Sequence, residues 1–381
     1  MFPIMISANT GTISQQARQP RPGRKLSIAL LTAFLLLLAL ETAMQIRSHI
    51  RNGQSVLNAF TQETRYVVDP RTGLKVLRPN HVFLGSQVEM RTNSLGLRSP
   101  EIDPVKKPGV VRIAVIGAST VMGAYTARNE DTFAMRLGKL LGETYPRLHF
   151  EVINAGIAGY GLIEQSQMLE KIVLPLAPDV VIVYPGFNDF AAYCRDDSDK
   201  PGTAKRPGRH GLPIIETPVW LLSIELLTKN TVALRTPPVS SSTTTRSVDT
   251  LDFSDYRKKL DVLGNVALRS KIPFVFSTNA RAYRPEQSLD EQKALSETAR
   301  YYNPCFDLDG LHALYDAHNK EIKAAAERFG FPVIPLDQEI PGGRTYFVDA
   351  SHFSNAGEQL AAERLRDFLV RLAMIPPKAA H

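Results

Sequence analysis

The sequence contains few cysteines and no cysteine or histidine spacing of the kind that binds zinc. Only two cysteines, Cys194 and Cys305, occur in 381 residues, and neither belongs to a CxxC motif. Neither a zinc site nor a dithiol redox centre is therefore indicated, and we expect no metal and no organic cofactor. The two thiols could form one disulfide in an oxidising compartment or stay separate in the interior, and we expect separate buried thiols.

The sequence also lacks a concentrated basic segment with interleaved aromatic residues. The net charge is +7, from 45 lysines and arginines against 38 acidic residues, but the basic residues are scattered along the chain. Proteins that bind nucleic acid usually concentrate such charge on one face. We therefore expect no nucleic-acid partner. The hydrophobic content of 44% is typical of a folded globular chain.

One long apolar run occurs, close to the N-terminus. Residues 26–40 read LSIALLTAFLLLLAL without a charge, and weaker apolar character continues to Ile46. A membrane-spanning helix needs about 20 such residues, and the absence of a polar face argues against a buried core helix. We interpret 26–46 as a single-pass transmembrane anchor. A cleaved signal peptide is the alternative, although no clean small-x-small cleavage site follows the run.

Basic residues flank this run unequally. Four precede it and two follow it: Arg18, Arg21, Arg24 and Lys25, then Arg47 and Arg51. Cytoplasmic flanks of membrane spans are enriched in lysine and arginine. Residues 1–25 are therefore predicted to form a cytoplasmic N-terminus, and the remainder of the chain is predicted to lie outside, on the periplasmic side of the membrane.

After a polar lead-in segment predicted over residues 47–109, buried strands alternate with helical patterns. Strands are predicted at Val111–Ile116, Phe150–Ile153, Val180–Tyr184, Pro273–Ser277 and Pro332–Pro335. Helices are predicted from about 133 to 141, 162 to 174, 256 to 268, 289 to 301, 311 to 329 and 355 to 372. Continuous β-branched strands joined by helices predict a parallel sheet covered on both faces. The predicted fold over residues 110–376 is α/β, a doubly wound parallel sheet in a flavodoxin-like three-layer arrangement.

Residues 194–250 interrupt this alternation and are interpreted as an insertion. The segment is rich in proline, glycine and charge at first and contains a serine and threonine run at 240–245. Within it, residues 219–227 (VWLLSIELL) predict a short apolar helix, which we expect to pack on the core rather than contact lipid.

Glycine-rich and polar segments follow the first three predicted strands at their carboxyl ends, where open α/β sheets bind ligands. They are Gly117–Gly123 (GASTVMG), Asn154–Gly161 (NAGIAGYG) and Gly186–Asp189 (GFND). Glycine N–H groups and an asparagine amide can donate to an oxyanion, although each segment alone is compatible with an ordinary turn. No lysine follows the second glycine of the first segment, so a phosphate-binding loop is not indicated.

A fourth polar segment, Asp349–His352 (DASH), precedes the last predicted helix. A serine hydroxyl is a weak nucleophile and needs an adjacent base, for which histidine is suited near neutral pH. A carboxylate next to that histidine fixes its tautomer and stabilises the imidazolium. Together with the serine of the first segment, these residues indicate acyl-transfer chemistry.

The ordered set of Gly-x-Ser, Asn-x-Gly-x-x-Gly, Gly-x-Asn-Asp and Asp-x-x-His resembles the SGNH/GDSL hydrolase family, over about residues 110–373. The resemblance implies that Ser119 is the nucleophile, that His352 is the base and that Asp349 orients it. The family's usual Gly-Asp-Ser is Gly-Ala-Ser here, with Ala118 in the place of the aspartate. This departure lowers the activity that we expect but keeps the nucleophile.

The same resemblance implies an oxyanion hole. Its donors would be the N–H groups of Ser119 and Gly159 and the side-chain amide of Asn188. Asp189, which follows in the same motif, is expected to hold its loop rather than take part in the chemistry.

The resemblance implies a membrane-anchored envelope esterase that acts through an acyl-enzyme. Anchored envelope members of the family imply an O-acylated polysaccharide or a lipid as substrate. An O-acyltransferase would use the same residues, with a sugar hydroxyl in place of water. A catalytically silent polysaccharide-binding envelope protein is the third alternative.

Overall fold

The computed structural model describes residues 22–52, 65–84, 88–194, 222–223 and 247–375. The arginines at 18 and 21, the serine and threonine run at 240–245 and most of the predicted insertion lie outside these residues. Of the apolar helix predicted over 219–227, only residues 222–223 are described. Their N–H groups, those of Leu222 and Ser223, donate to the carboxylate of Glu41 at 3.0 and 2.8 Å.

The strands, in chain order, are β1 Tyr66–Val68, β2 Lys75–Leu77, β3 Val82–Leu84, β4 Glu89–Arg91, β5 Val110–Gly117, β6 His149–Gly156, β7 Val180–Tyr184, β8 Phe274–Ser277 and β9 Val333–Ile334. The last five form one parallel sheet in the order β6-β5-β7-β8-β9. Counted within the sheet, this is the flavodoxin-like order 2-1-3-4-5. The predicted doubly wound fold is confirmed.

The helices are α1 Pro22–Asn52, α2 Ser119–Met122, α3 Phe133–Thr144, α4 Leu162–Met168, α5 Ser254–Ser270, α6 Leu289–Leu295, α7 Glu297–Tyr302, α8 Leu308–Phe329, α9 Leu336–Glu339 and α10 Asn355–Arg371. A π-helical turn, Leu169–Val173, directly continues α4.

The sheet buries both of its faces because successive side chains of a strand point to opposite sides. In β5, Ile113 and Val115 belong to one core together with residues of α3 and α10. Ala114 and Ile116 belong to a second core together with residues of α4 and α5. These two cores are the interfaces of a three-layer α/β/α domain.

The single helix predicted over 289–301 is wrong, because the chain forms two helices that meet at Ser296. Its backbone adopts φ −88° and ψ 2°, and it ends α6 and begins α7. The Ser296 hydroxyl donates to the carbonyl of Lys293 at 3.4 Å. Serine side chains compete in this way with helical backbone hydrogen bonds, and the competition favours a break.

The N-terminal helix α1 is long and apolar enough to cross a membrane. Its apolar part, Lys25–Ile50, has 26 residues. The most apolar 18-residue window of this part is not buried by the rest of the described chain, whereas Gln45 is buried. At 1.5 Å per residue this part is about 39 Å long, which exceeds a hydrocarbon core of about 30 Å. The helix is thus a candidate membrane span or signal anchor, and it includes the predicted anchor at 26–46.

The two cysteines form a disulfide, so the expectation of separate buried thiols is wrong. Cys194 and Cys305 have an S–S distance of 2.08 Å and a Cα–Cα distance of 5.4 Å. The fold brings together residues that are 111 positions apart. Cys194 ends the 3-10 segment Asn188–Cys194, and Cys305 lies just before α8.

Candidate active site

The serine of the first motif lies at the point where the sheet reverses its strand order. Ser119 is the first residue of α2 and follows β5 after one intervening residue. The helix lies directly against the end of β6, where a Cβ on Gly156 would be only 2.2 Å from the Met122 nitrogen. The buried Asn154 donates from its amide to the carbonyl of Val121 at 2.8 Å. The second motif thus holds α2, which begins at Ser119, in place.

Ser119, His352 and Asp349 form a continuous chain of hydrogen bonds. The Ser119 Oγ lies 2.7 Å from His352 Nε2. On the other side of the ring, His352 Nδ1 lies 2.8 Å from Asp349 Oδ2 and 2.9 Å from Oδ1. An ionised carboxylate only accepts, so Nδ1 carries the proton and Nε2 is free to accept the serine proton. This is the arrangement that activates a serine hydroxyl.

The Asp349 carboxylate also organises its own loop. Its Oδ1 accepts the backbone N–H groups of Ser351 at 3.0 Å and of His352 at 2.9 Å. Burial would raise the pKa of Asp349, but the hydrogen bonds from His352 and from these N–H groups hold that pKa below its ordinary value. The carboxylate is therefore ionised at neutral pH.

The second and third motifs meet beside this triad. The side-chain amide of Asn188 donates to the carbonyl of Tyr160 at 2.9 Å, which joins it to the loop that contains Gly159. Gly159 has a φ of +84°, a left-handed conformation that favours glycine. Its N–H donates to no residue that the structure describes. Ser119 begins a helix, so its N–H has no intrahelical acceptor.

Asp189 makes structural contacts, as its position in the motif predicts. Its carboxylate accepts the backbone N–H of Leu162, at the start of α4, at 3.0 Å. It also forms an ion pair with Lys259 of α5 at 3.1 Å. The residue thus fixes the third loop to the helices on one face of the sheet.

Two aromatic rings flank the histidine; one of them, Phe187, belongs to the third motif, whereas no motif marked Tyr125 in the sequence. The ring of Tyr125 is 5.1 Å from that of His352, edge to face, and the ring of Phe187 is 6.4 Å away. Burial and the neighbouring Asp349 carboxylate raise the pKa of Tyr125. These rings cover the imidazole and limit its contact with water.

The lead-in segment contributes an arginine that holds the loop following Ser119. The guanidinium of Arg98 is buried and donates to the carbonyls of Gly123 at 2.5 Å and Thr126 at 2.9 Å. It also donates to the side chain of Asn129 at 3.0 Å. Burial lowers the pKa of Arg98 to about 10, so it remains charged. Arg98, which belongs to the predicted polar lead-in, therefore supports the loop that follows Ser119.

A buried carboxyl group joins the last helix to the same loop. Glu358, in the first turn of α10, accepts the Phe133 N–H at 2.6 Å and the Thr126 hydroxyl at 2.9 Å. Burial raises the pKa of Glu358 to about 8. The helix that follows the His352 loop is thereby linked to the loop that follows Ser119. No motif marked this residue in the sequence.

Among the described residues, no group of three or more His, Cys, Asp or Glu side chains is placed to hold a metal ion. The polar groups of the site are the triad, the Gly159 N–H and the Asn188 amide. This set can activate a hydroxyl nucleophile and stabilise an oxyanion.

Comparison with solved structures finds similar folds at low sequence identity. An alpha/beta hydrolase enzyme from the metagenome of Lake Arreo, Spain, is 15% identical, with 71% of this chain and 99% of that chain covered and a TM-score of 0.42. An acetylxylan esterase from Geobacillus stearothermophilus is 16% identical, with 70% and 96% covered and a TM-score of 0.41. A GDSL-like lipase from Bacteroides thetaiotaomicron is 13% identical, with 68% and 88% covered and a TM-score of 0.38.

The chain is similar to GDSL-type hydrolases. No family model matches the sequence, and no curated protein matches it. At these identities and TM-scores, the likeness contributes nothing to the assignment of residues. The roles of Ser119, His352 and Asp349 are therefore inferred from their hydrogen bonds.

Proposed function

We propose that the protein is an SGNH-type serine esterase. The observation that carries the proposal is the unbroken chain of hydrogen bonds from Ser119 Oγ through His352 to Asp349. The site lies at the carboxyl end of β5, where the strand order of the sheet reverses and ligands bind in folds of this kind.

In the proposed mechanism, His352 takes the proton of Ser119 as the serine oxygen attacks the ester carbonyl. The negative charge that develops on the carbonyl oxygen is held by the N–H groups of Ser119 and Gly159 and by the Asn188 amide. His352 then gives its proton to the leaving alcohol, and an acyl-enzyme remains on Ser119. Asp349 stabilises the imidazolium in each step. Water, activated by the same histidine, releases the acid.

We place the catalytic domain outside the cytoplasm, held at the membrane by α1. The excess of basic residues before the apolar run supports this orientation. The Cys194–Cys305 disulfide supports it independently, because disulfides form in oxidising compartments such as the periplasm. An alkaline phosphatase fusion after His381 that stays inactive in cells would contradict this orientation.

As substrate we propose an O-acylated polysaccharide or a lipid, because a tethered enzyme acts near the membrane surface. Transfer of the acyl group to a sugar hydroxyl would differ only in the nucleophile that attacks the acyl-enzyme. Analysis of the products separates the two reactions: free acid indicates hydrolysis, and a newly acylated sugar indicates transfer.

The first test is hydrolysis of p-nitrophenyl acetate by the full-length protein in detergent. Replacing Ser119→Ala or His352→Ala should each lower kcat/KM by at least about 10³-fold, because triad members act as a unit. A fluorophosphonate should label the wild type and leave Ser119→Ala unlabelled.

Ser351→Ala is the matched control, since the Ser351 hydroxyl is next to His352 but has no hydrogen-bond partner among the described residues. It should retain its activity and its labelling. A wild type as inert as Ser119→Ala, and unlabelled, would favour the catalytically silent binding protein.

A further inference from the structure

Lys75 of the lead-in segment makes two hydrogen bonds to the loop that contains Gly159, one through its side chain and one through its backbone carbonyl. Its ammonium donates to the carbonyl of Ala158 at 2.8 Å. In the opposite direction, the hydroxyl of Tyr160 donates to the backbone carbonyl of Lys75 at 2.5 Å. Strand β2 therefore fixes the residues on either side of Gly159.

The carbonyl that accepts from Lys75 belongs to the same peptide group as the Gly159 N–H. A trans peptide is planar, so its C=O and N–H point in opposite directions. A cation on the carbonyl of Ala158 therefore leaves the N–H of Gly159 open on the other side. Hydrogen bonds in a chain polarise one another, and a cation on the carbonyl makes the N–H a stronger donor.

The surroundings of the ammonium leave its charge available for this interaction. It lies 5.0 Å from the centroid of the Tyr66 ring and 5.9 Å from that of Tyr160. No carboxylate of the described residues lies within ion-pair distance of it. If a carboxylate were paired with Lys75, it would cancel the field that favours negative charge on a nearby oxyanion.

We propose that Lys75 is a positioning residue of the oxyanion hole, which orients and polarises the peptide group between Ala158 and Gly159. The proposal rests on the proposed function, in which the Gly159 N–H stabilises the oxyanion. It also gives the lead-in segment a part in the chemistry. The effect belongs to the transition state, where the oxyanion carries its charge, and leaves binding of the uncharged ester largely unchanged.

The test is a kinetic comparison of full-length Lys75→Met and Lys75→Arg with the wild type, using p-nitrophenyl acetate. Loss of a direct oxyanion donor costs about 10²–10³ in kcat. Loss of the neighbouring cation should cost less, about tenfold in kcat, with KM within about twofold. Lys75→Arg, which keeps the cation, should recover most of kcat.

A second measurement separates a transition-state effect from general damage. The inhibition constant of a trifluoromethyl ketone, which forms a charged tetrahedral adduct with the serine, should rise in Lys75→Met by the same factor by which kcat/KM falls. The inhibition constant of an uncharged amide analogue of the ester should not change.

Lys171→Met is the matched control. Lys171 is exposed like Lys75, and its ammonium also donates to a backbone carbonyl, that of Thr72 in the turn between β1 and β2, at 2.9 Å. It should retain the wild-type kcat. If Lys75→Met keeps the wild-type kcat, or if Lys171→Met loses as much, the proposal is overturned while a Ser119-dependent activity still stands.

Discussion

The Asp349 carboxylate makes two kinds of contact in the loop that precedes the last helix. One oxygen accepts the loop N–H groups, and both oxygens lie within hydrogen-bond distance of His352 Nδ1. The depressed pKa of this carboxyl group means that the folded state binds its proton more weakly than the unfolded state. Its contribution to stability is therefore present above the ordinary carboxyl pKa and is lost as the pH falls through the lowered value.

Asp349→Asn should abolish most of the esterase activity. An amide can donate to Nδ1 and so favour the tautomer that carries its proton on Nε2, which cannot accept from Ser119. We expect kcat to fall by about 10⁴, the loss typical of this change in a Ser-His-Asp triad. The measurement is kcat for p-nitrophenyl acetate, beside fluorophosphonate labelling of Ser119. A variant with near-normal kcat would show that Asp349 is not the orienting group.

At the residue scale, the sequence predicted the residues that meet in the proposed triad but not those that support them. Ser119 and Asp349–His352 could be found because their residue types and order are unusual. The side chains of Lys75 and Arg98 donate to backbone carbonyls, which residues of every type have. Their partners are therefore set by the fold and leave no local pattern.

At the scale of secondary-structure elements, α10 and the segment before α3 are joined through Glu358. The carboxyl group is fully buried, and the described cations near it, Arg98 and Arg136, are not in direct contact with it. Its pKa of about 8 is above that of an ordinary carboxyl group. The folded state therefore keeps a proton that the unfolded state releases, and the stability that this provides is lost as the pH rises toward 8.

Glu358→Gln should remove this pH dependence. The glutamine amide can accept from Phe133 N–H and donate to Thr126 without a titratable proton. The Tm difference between the variant and the wild type should therefore grow in favour of the variant from about pH 5 to pH 8. Thermal unfolding followed by circular dichroism at several pH values measures it.

The control for this series is Glu327→Gln, which changes an exposed glutamate of α8. Its Tm should follow that of the wild type at every pH. Parallel Tm curves for Glu358→Gln and the wild type would mean that Glu358 is ionised in the folded protein over this range.

Element prediction succeeded for the parallel sheet and failed for the short strands of the lead-in segment. Strands β5, β7 and β8 were found because nearly all of their residues are buried and read as apolar runs. Strand β9 was found although it has only two residues. Strands β1 to β4 have only three residues each and pair locally, so hydrophobic periodicity cannot distinguish them from loop.

At the scale of the whole molecule, the disulfide ties the segment after the third motif to the start of α8. The sequence left this pairing open because the cysteines are 111 residues apart and carry no local signature. The two cysteines come together only in the folded domain, where their Cα atoms are 5.4 Å apart.

Cys194→Ser with Cys305→Ser should lower the free energy of unfolding. A cross-link that closes a loop of about 100 residues contributes about 4–5 kcal/mol in the chain-entropy model. Urea unfolding of the wild type with and without reductant, beside the double variant, measures the loss. The double variant should not respond to reductant. Free thiols in the unreduced, denatured wild type would contradict the pairing.

The end of α1 would also limit how far the catalytic domain can lie from a bilayer that contains α1. Asn52 ends the helix, and the described chain resumes at Arg65, which is 13 positions later. Thirteen residues reach at most about 45 Å when fully extended. With α1 in a bilayer, this upper limit confines the catalytic domain to a shell of about that depth over the membrane surface. Esters attached beyond that shell would have to come to the enzyme, which would make the distance of a substrate from the membrane a determinant of its hydrolysis.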